Sequence, residues 1–134
     1  MLYNENPLVV NVELARILGL NESIVIQQIH YWIEINKKKN HNFRDGRTWT
    51  YNSYPEWQEQ FPFWSVSTIK RIIVGLEKEG YIISNQYNKK TYDKTKWYTI
   101  DYEKIDFLVQ EARNNRMDQN DPIDSTKMTS MIGS

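Results

Sequence analysis

Two short stretches of this sequence hold side chains suited to one kind of ligand. Ser65, Ser67, Thr68, Lys70 and Arg71 fall within seven positions, and Lys89, Lys90, Lys94 and Lys96 within eight, with Tyr87 and Tyr92 beside the lysines. Hydroxyl, ammonium and guanidinium groups all bind phosphate oxygens, and a guanidinium can also take the paired acceptors of guanine. On a helix followed by a hairpin, such a set suits double-stranded DNA. The helix fits a major groove about 12 Å wide, and flanking lysines neutralise the backbone. Each stretch also has a plainer reading. Lysines on a hairpin discourage edge pairing, and Ser-x-x-x-Ile-Lys-Arg opens many capped amphipathic helices. Their coincidence in one chain favours DNA.

Other chemistries lack their residues. The sequence contains no cysteine, so it has no disulfide framework, thiolate zinc site or cysteine nucleophile. His30 and His41 are not paired on one strand as a metal-dependent replication nuclease requires. No Gly-x-x-x-x-Gly-Lys-Ser/Thr phosphate loop occurs. Glu56 and Glu59 share a helix side, but Glu56 has a capping role. Five tryptophans could stack single-stranded bases. Trp32, Trp49, Trp64 and Trp97, however, fall where core residues are expected. The reading is therefore of a protein that is not an enzyme, with no catalytic residues, metal or cofactor.

Composition sets the frame. The 134 residues are 40% apolar and 25% charged, enough for one domain. Seventeen bases against seventeen acids exclude a uniformly basic coat but not a basic patch. By segment the net charge is −3 over 1–36, +2 over 37–64, +4 over 65–100 and −3 over 101–134, so the basic excess is central. No stretch approaches the ~18 apolar residues of a membrane span. MLYNENPLVV lacks the basic start of a signal peptide. A cytoplasmic protein is expected.

The elements that must position the basic residues follow from caps and periodicity. Asn11 caps a first helix that stops at Gly19, and Asn21 is the candidate cap of a second helix reaching about Asn36. That helix has one apolar row of Val25, Ile29, Trp32 and Ile33, and another of Ile24, Tyr31 and Ile35. A helix apolar on two sides is central or meets a partner. Residues 37–47 read as a polar loop with a turn at Asp45-Gly46, and 48–51 as a short strand. Ser53-Tyr54-Pro55-Glu56 opens a third helix with a capping box. A fourth helix starts at Ser65, with Val66, Ile69, Ile73 and Leu76 facing a core. Strands over 81–87 and 96–100 flank a polar turn. Residues 102–113 form a last helix with Ile105, Leu108, Val109 and Ala112 inward. From 114 to 134 the chain reads as a polar, flexible tail.

The expected fold is mainly α with a small β-sheet: a winged helix-turn-helix over 1–113 with extra helices at both ends. The recognition helix is 65–79 and the wing 87–96. Residues 13–29 also have helix-turn-helix spacing. Their second helix, however, has no Lys or Arg before Lys37, bears Glu22 and Glu34, and would desolvate Ile and Tyr against phosphates. Its second apolar row (Ile24, Tyr31, Ile35) is assigned to an oligomer or partner interface.

Leu20-Asn21-Glu22 through Ile29-His30-Tyr31-Trp32, Asp45-Gly46-Arg47-Thr48-Trp49-Thr50-Tyr51-Asn52-Ser53, Phe61-Pro62-Phe63-Trp64-Ser65, Leu76-Glu77-Lys78-Glu79-Gly80-Tyr81-Ile82 and Asp93-Lys94-Thr95-Lys96-Trp97-Tyr98 together carry a resemblance. Over roughly two-thirds of its length the chain resembles the winged-helix N-terminal domain of phage and mobile-element replication proteins of Gram-positive bacteria, relatives of the DnaD-type replisome organisers. The resemblance implies a DNA-binding module of replication initiation, often dimeric, with replisome proteins as further partners. A transcriptional regulator and a protein-interaction module are the alternatives. The family's second helical domain, used for single strands or helicase recruitment, has no counterpart before Ser134, so those activities are not expected of these residues.

Overall fold

A computed structural model describes residues 7–120. The chain is mainly α with two small antiparallel sheets. The elements run α1 (Val12–Leu18), α2 (Leu20–Lys39), β1 (Phe43–Arg44), β2 (Arg47–Thr48), β3 (Thr50–Tyr51), α3 (Tyr54–Gln60), α4 (Val66–Lys78), β4 (Ile82–Asn85), β5 (Trp97–Ile100) and α5 (Tyr102–Asn120). The described residues fall into two compact units, dividing between Tyr102 and Glu103.

Local signals explain most boundaries. Asn11 Oδ1 accepts the Leu14 amide at 3.0 Å and starts α1. Gly19, at φ 111°, ends α1 and starts α2, a backbone shape that favours glycine. Asn21 therefore lies inside α2 rather than capping it, and the first turn carries Glu22 at the positive helix end. In α3, Ser53 and Glu56 form the reciprocal capping box. Ser65 Oγ accepts the Thr68 amide at 3.1 Å and caps α4. Beyond α4, Gly80 and Tyr81 donate their amides to the Glu77 and Leu76 carbonyls at 3.0 Å each, closing a Schellman end.

α2 is the central helix. It packs against α1, α4, β2, β3 and β5, and Val25, Ile29 and Ile33 are at most 1% exposed. The three-stranded sheet has the order β3-β5-β4, with Tyr51 opposite Trp97 and Ile82 opposite Ile100. Because side chains alternate across a strand, the sheet has an inner and an outer face. Tyr98 points inward onto Trp57, which stacks on Phe61. Trp97 and Tyr51 pack on the outer face with ring centroids 5.0 Å apart.

Several boundaries differ from the sequence reading. α2 continues to Lys39, because nothing before Asn40 breaks it; Asn40 then takes a left-handed conformation. The expected loop 37–47 contains a hairpin, β1–β2, turned by Asp45 (φ 52°) and Gly46 (φ 74°). Two successive positive φ values make a type I′ turn, the twist-matched connection for a two-residue hairpin. The strand expected over 48–51 is split: Thr48 belongs to that hairpin and Thr50–Tyr51 to the three-stranded sheet. The two strands after α4 are shorter than expected, ending at Asn85 and beginning at Trp97. α5 runs past Arg113 to Asn120, since 114–120 contain no proline or glycine. The expected tail from 121 to 134 lies outside the described residues.

Candidate nucleic-acid interface

α4 presents two unlike faces. Ile69, Ile72, Ile73 and Leu76 are buried. At 100° per residue, Ser67, Lys70, Arg71, Val74 and Lys78 share the opposite side. Ser67, Lys70, Arg71 and Lys78 are exposed there and Val74 is half-buried. Among the described residues neither Lys70 nor Arg71 forms an ion pair. From Val66 to Leu76 the helix has no acidic residue. At its start the Ser65 hydroxyl lies 3.1 Å from that of Ser67 and 3.0 Å from that of Thr68. Three hydroxyls thus cluster where the first turn's amides face outward.

The helix pair is braced on its inner side. The Gln60 amide oxygen, at the end of α3, accepts from the Gln28 amide at 2.6 Å and from the Trp32 indole N–H at 2.8 Å. Gln58 donates to the Trp64 carbonyl at 3.1 Å, fixing the turn into α4.

The loop between β4 and β5 is stitched by its own side chains. Asn88 donates to the carbonyls of Asp93 and Thr95, and accepts from the Trp97 indole, each at 2.8 Å. Asp93 accepts the Thr95 amide at 3.0 Å. That backbone bond, helped by nearby Lys90, holds the Asp93 carboxyl below its ordinary value of 3.8. Lys89, Lys90 and Lys94 are exposed around this frame. The Lys90 ammonium lies 5.7 Å from the centroid of the exposed Tyr92 ring.

Lys96 is placed differently from the other lysines. Its ammonium lies 3.5 Å from Glu77 Oε2, on α4, and the Glu77 side chain is only 16% exposed. Lys96 therefore neutralises the acid of α4 and ties the root of the loop to the helix, instead of projecting with Lys89, Lys90 and Lys94.

The sequence reading missed the β1–β2 hairpin and what it holds. Asp45 accepts a hydrogen bond from the Tyr87 hydroxyl. Burial, and then Asp45 itself, push the Tyr87 hydroxyl above its usual pKa. The Trp49 ring meets Tyr87 edge-on, and its indole donates to the Arg44 carbonyl at 2.9 Å. The Arg44 guanidinium lies 5.5 Å from the Trp97 centroid. Trp49 and Trp97 are thus buried as expected, but on the outer face of the sheet rather than in the helical core. The Asp45-Gly46 turn was visible in the sequence. Its strands were not, because two-residue strands have no periodicity.

The three residues assigned to a partner interface do not share one environment. Tyr31 is 50% exposed, whereas Ile24 and Ile35 are half-buried. His30, half-buried on the same helix, has its Nδ1 2.7 Å from the Tyr102 hydroxyl. Among the described residues no group of three or more His, Asp or Glu side chains could hold a metal ion, and no helix is long and apolar enough to cross a membrane. Comparison with protein-family models, curated proteins and solved structures gave no match, so the site rests on its own geometry.

Proposed function

We propose that this protein binds double-stranded DNA as a winged helix, with α4 in the major groove and the loop between β4 and β5 on the adjacent backbone. One observation carries the reading. The outward face of α4 gathers Ser67, Lys70, Arg71 and Lys78, with the one acid at its edge, Glu77, largely covered and paired with Lys96, beside a loop whose three exposed lysines are held on a hydrogen-bonded frame. Acids at i,i+4 from these bases would stabilise the helix by pairing; Lys70 and Arg71 have no such partner among the described residues. The order α3, α4, β4, β5 and the pairing of β3 onto β5 also suit a winged helix. The resemblance noted from the sequence points to replication initiation on phage or mobile-element DNA, with transcriptional control as the other setting.

A titration of a 25-base-pair duplex, followed by fluorescence anisotropy at several salt concentrations, tests this. Wild type is expected to bind duplex with a log–log salt slope of several units, at ~0.9 per phosphate contact. Lys70→Ala with Arg71→Ala is expected to abolish groove binding while leaving the fold intact, because both side chains are exposed. Wild-type-like binding by the double variant would remove α4 from the interface.

A second reading rests on a separate observation: Leu20 and Tyr31 on α2 are 56% and 50% exposed. With Ile24 and Ile35 they favour self-association or a replisome protein docking on α2. This is compatible with DNA binding through α4.

A further inference from the structure

Of the two arginines of the β1–β2 hairpin, Arg44 lies over Trp97 and donates to the Phe43 carbonyl at 2.9 Å, whereas Arg47 has no such contact among the described residues. Arg44 and Arg47 are direct cross-strand partners on either side of the turn. Like charges placed opposite one another on a hairpin destabilise it. The one acid between them, Asp45, is engaged by the Tyr87 hydroxyl. Among the described residues neither arginine forms an ion pair, and both are exposed.

The hairpin is also fixed relative to the lysine-bearing loop. Asp45 and Trp49 hold Tyr87, which directly follows Gln86 at the start of that loop, and Arg44 covers Trp97 at its end. The two hairpins therefore form one surface. The segment 37–48 carries five bases and one acid, a net +4. Lys37, Lys38 and Lys39 in the last turn of α2 complement the helix dipole, which explains them without a ligand. No such account covers Arg47, nor the placing of Arg44 directly opposite it.

We infer that the β1–β2 hairpin is a second phosphate-binding strip, in which Arg44 and Arg47 take backbone phosphates of duplex DNA next to those met by Lys89, Lys90 and Lys94. The inference rests on the DNA-binding reading given above. Two arginines at facing positions of one hairpin turn suit neighbouring phosphates, since each guanidinium presents a planar fork of donors. A phosphate placed there relieves the repulsion that the hairpin otherwise carries.

The test is the salt dependence of duplex binding for wild type and four variants. Arg44→Gln with Arg47→Gln is expected to lower the log–log slope by about two units, and Arg47→Gln alone by about one, at ~0.9 per contact. At 0.1 M salt that corresponds to roughly eightfold weaker binding per arginine. The single variant guards against misfolding, because Arg44 packs on Trp97 whereas Arg47 has no ring contact among the described residues. Arg16→Gln, on the exposed side of α1, is expected to leave the slope unchanged. A wild-type slope in both hairpin variants, while Lys70→Ala with Arg71→Ala loses binding, overturns the strip and leaves the winged-helix reading standing. An equal drop in Arg16→Gln also overturns it, since the effect would then be general charge. Absence of duplex binding by wild type at low salt overturns both.

Discussion

Trp57 has no exposed surface, yet its indole N–H finds no acceptor among the described residues. A buried donor without a partner costs about 1–3 kcal/mol. Trp57→Phe removes that donor but opens space, at a loss on the order of 1–2 kcal/mol. The two effects offset, so urea denaturation is expected to place Trp57→Phe within about 1 kcal/mol of wild type. Trp57→Ala, which only loses packing, is expected to cost about 3–5 kcal/mol. A Phe variant destabilised as much as the Ala variant would show that the N–H is satisfied. At this scale the sequence was informative about charge and much less so about partners. Lys96 looked like the other lysines of its run, and only the approach of Glu77 separates it from them. Arg44 and Arg47 looked like loop residues, and only strand pairing sets them opposite each other.

At the scale of elements, α4 carries the proposed chemistry and contains a weak point. Gly75 lies in its interior, exposed, with nothing within 4 Å of where a Cβ would sit. Glycine inside a helix is less favourable than alanine by about 0.5–1 kcal/mol, and no steric reason retains it here. Gly75→Ala is therefore expected to raise the thermal midpoint by a few degrees. A lowered midpoint would show that α4 is not helical through this point. The caps made the helices legible. Asn11, Ser53 and Ser65 each sit where the sequence put them, because an N-cap is a local hydrogen bond within four residues. Asn21 failed as a cap because Gly19 joins α1 to α2 without the intervening residue a second cap would need.

At the scale of the whole molecule, α2 joins the two proposed roles. One side buries Val25, Ile29 and Ile33, and another leaves Leu20 and Tyr31 exposed. If that second side is a dimer interface, Tyr31→Glu is expected to halve the mass seen by light scattering without changing the helical content. An unchanged mass would remove Tyr31 from any such interface. The two compact units divide between Tyr102 and Glu103, at the first residue of α5.

The amino-acid sequence determined what depends on neighbours a few positions away: the helix starts, the apolar stripes, the Asp45-Gly46 turn and the central block of positive charge. These are set by caps, by 3.6-residue periodicity and by φ preferences, all local in origin. Tertiary structure alone decided that β5 pairs with β3 as well as β4, that Trp97 is covered by Arg44 rather than by the helical core, and that Lys96 is held by Glu77. The β3–β5, Arg44–Trp97 and Lys96–Glu77 contacts each join residues at least 19 positions apart along the chain. Such contacts depend on closing long loops around a shared core, and short-range spacing does not encode which groups then meet.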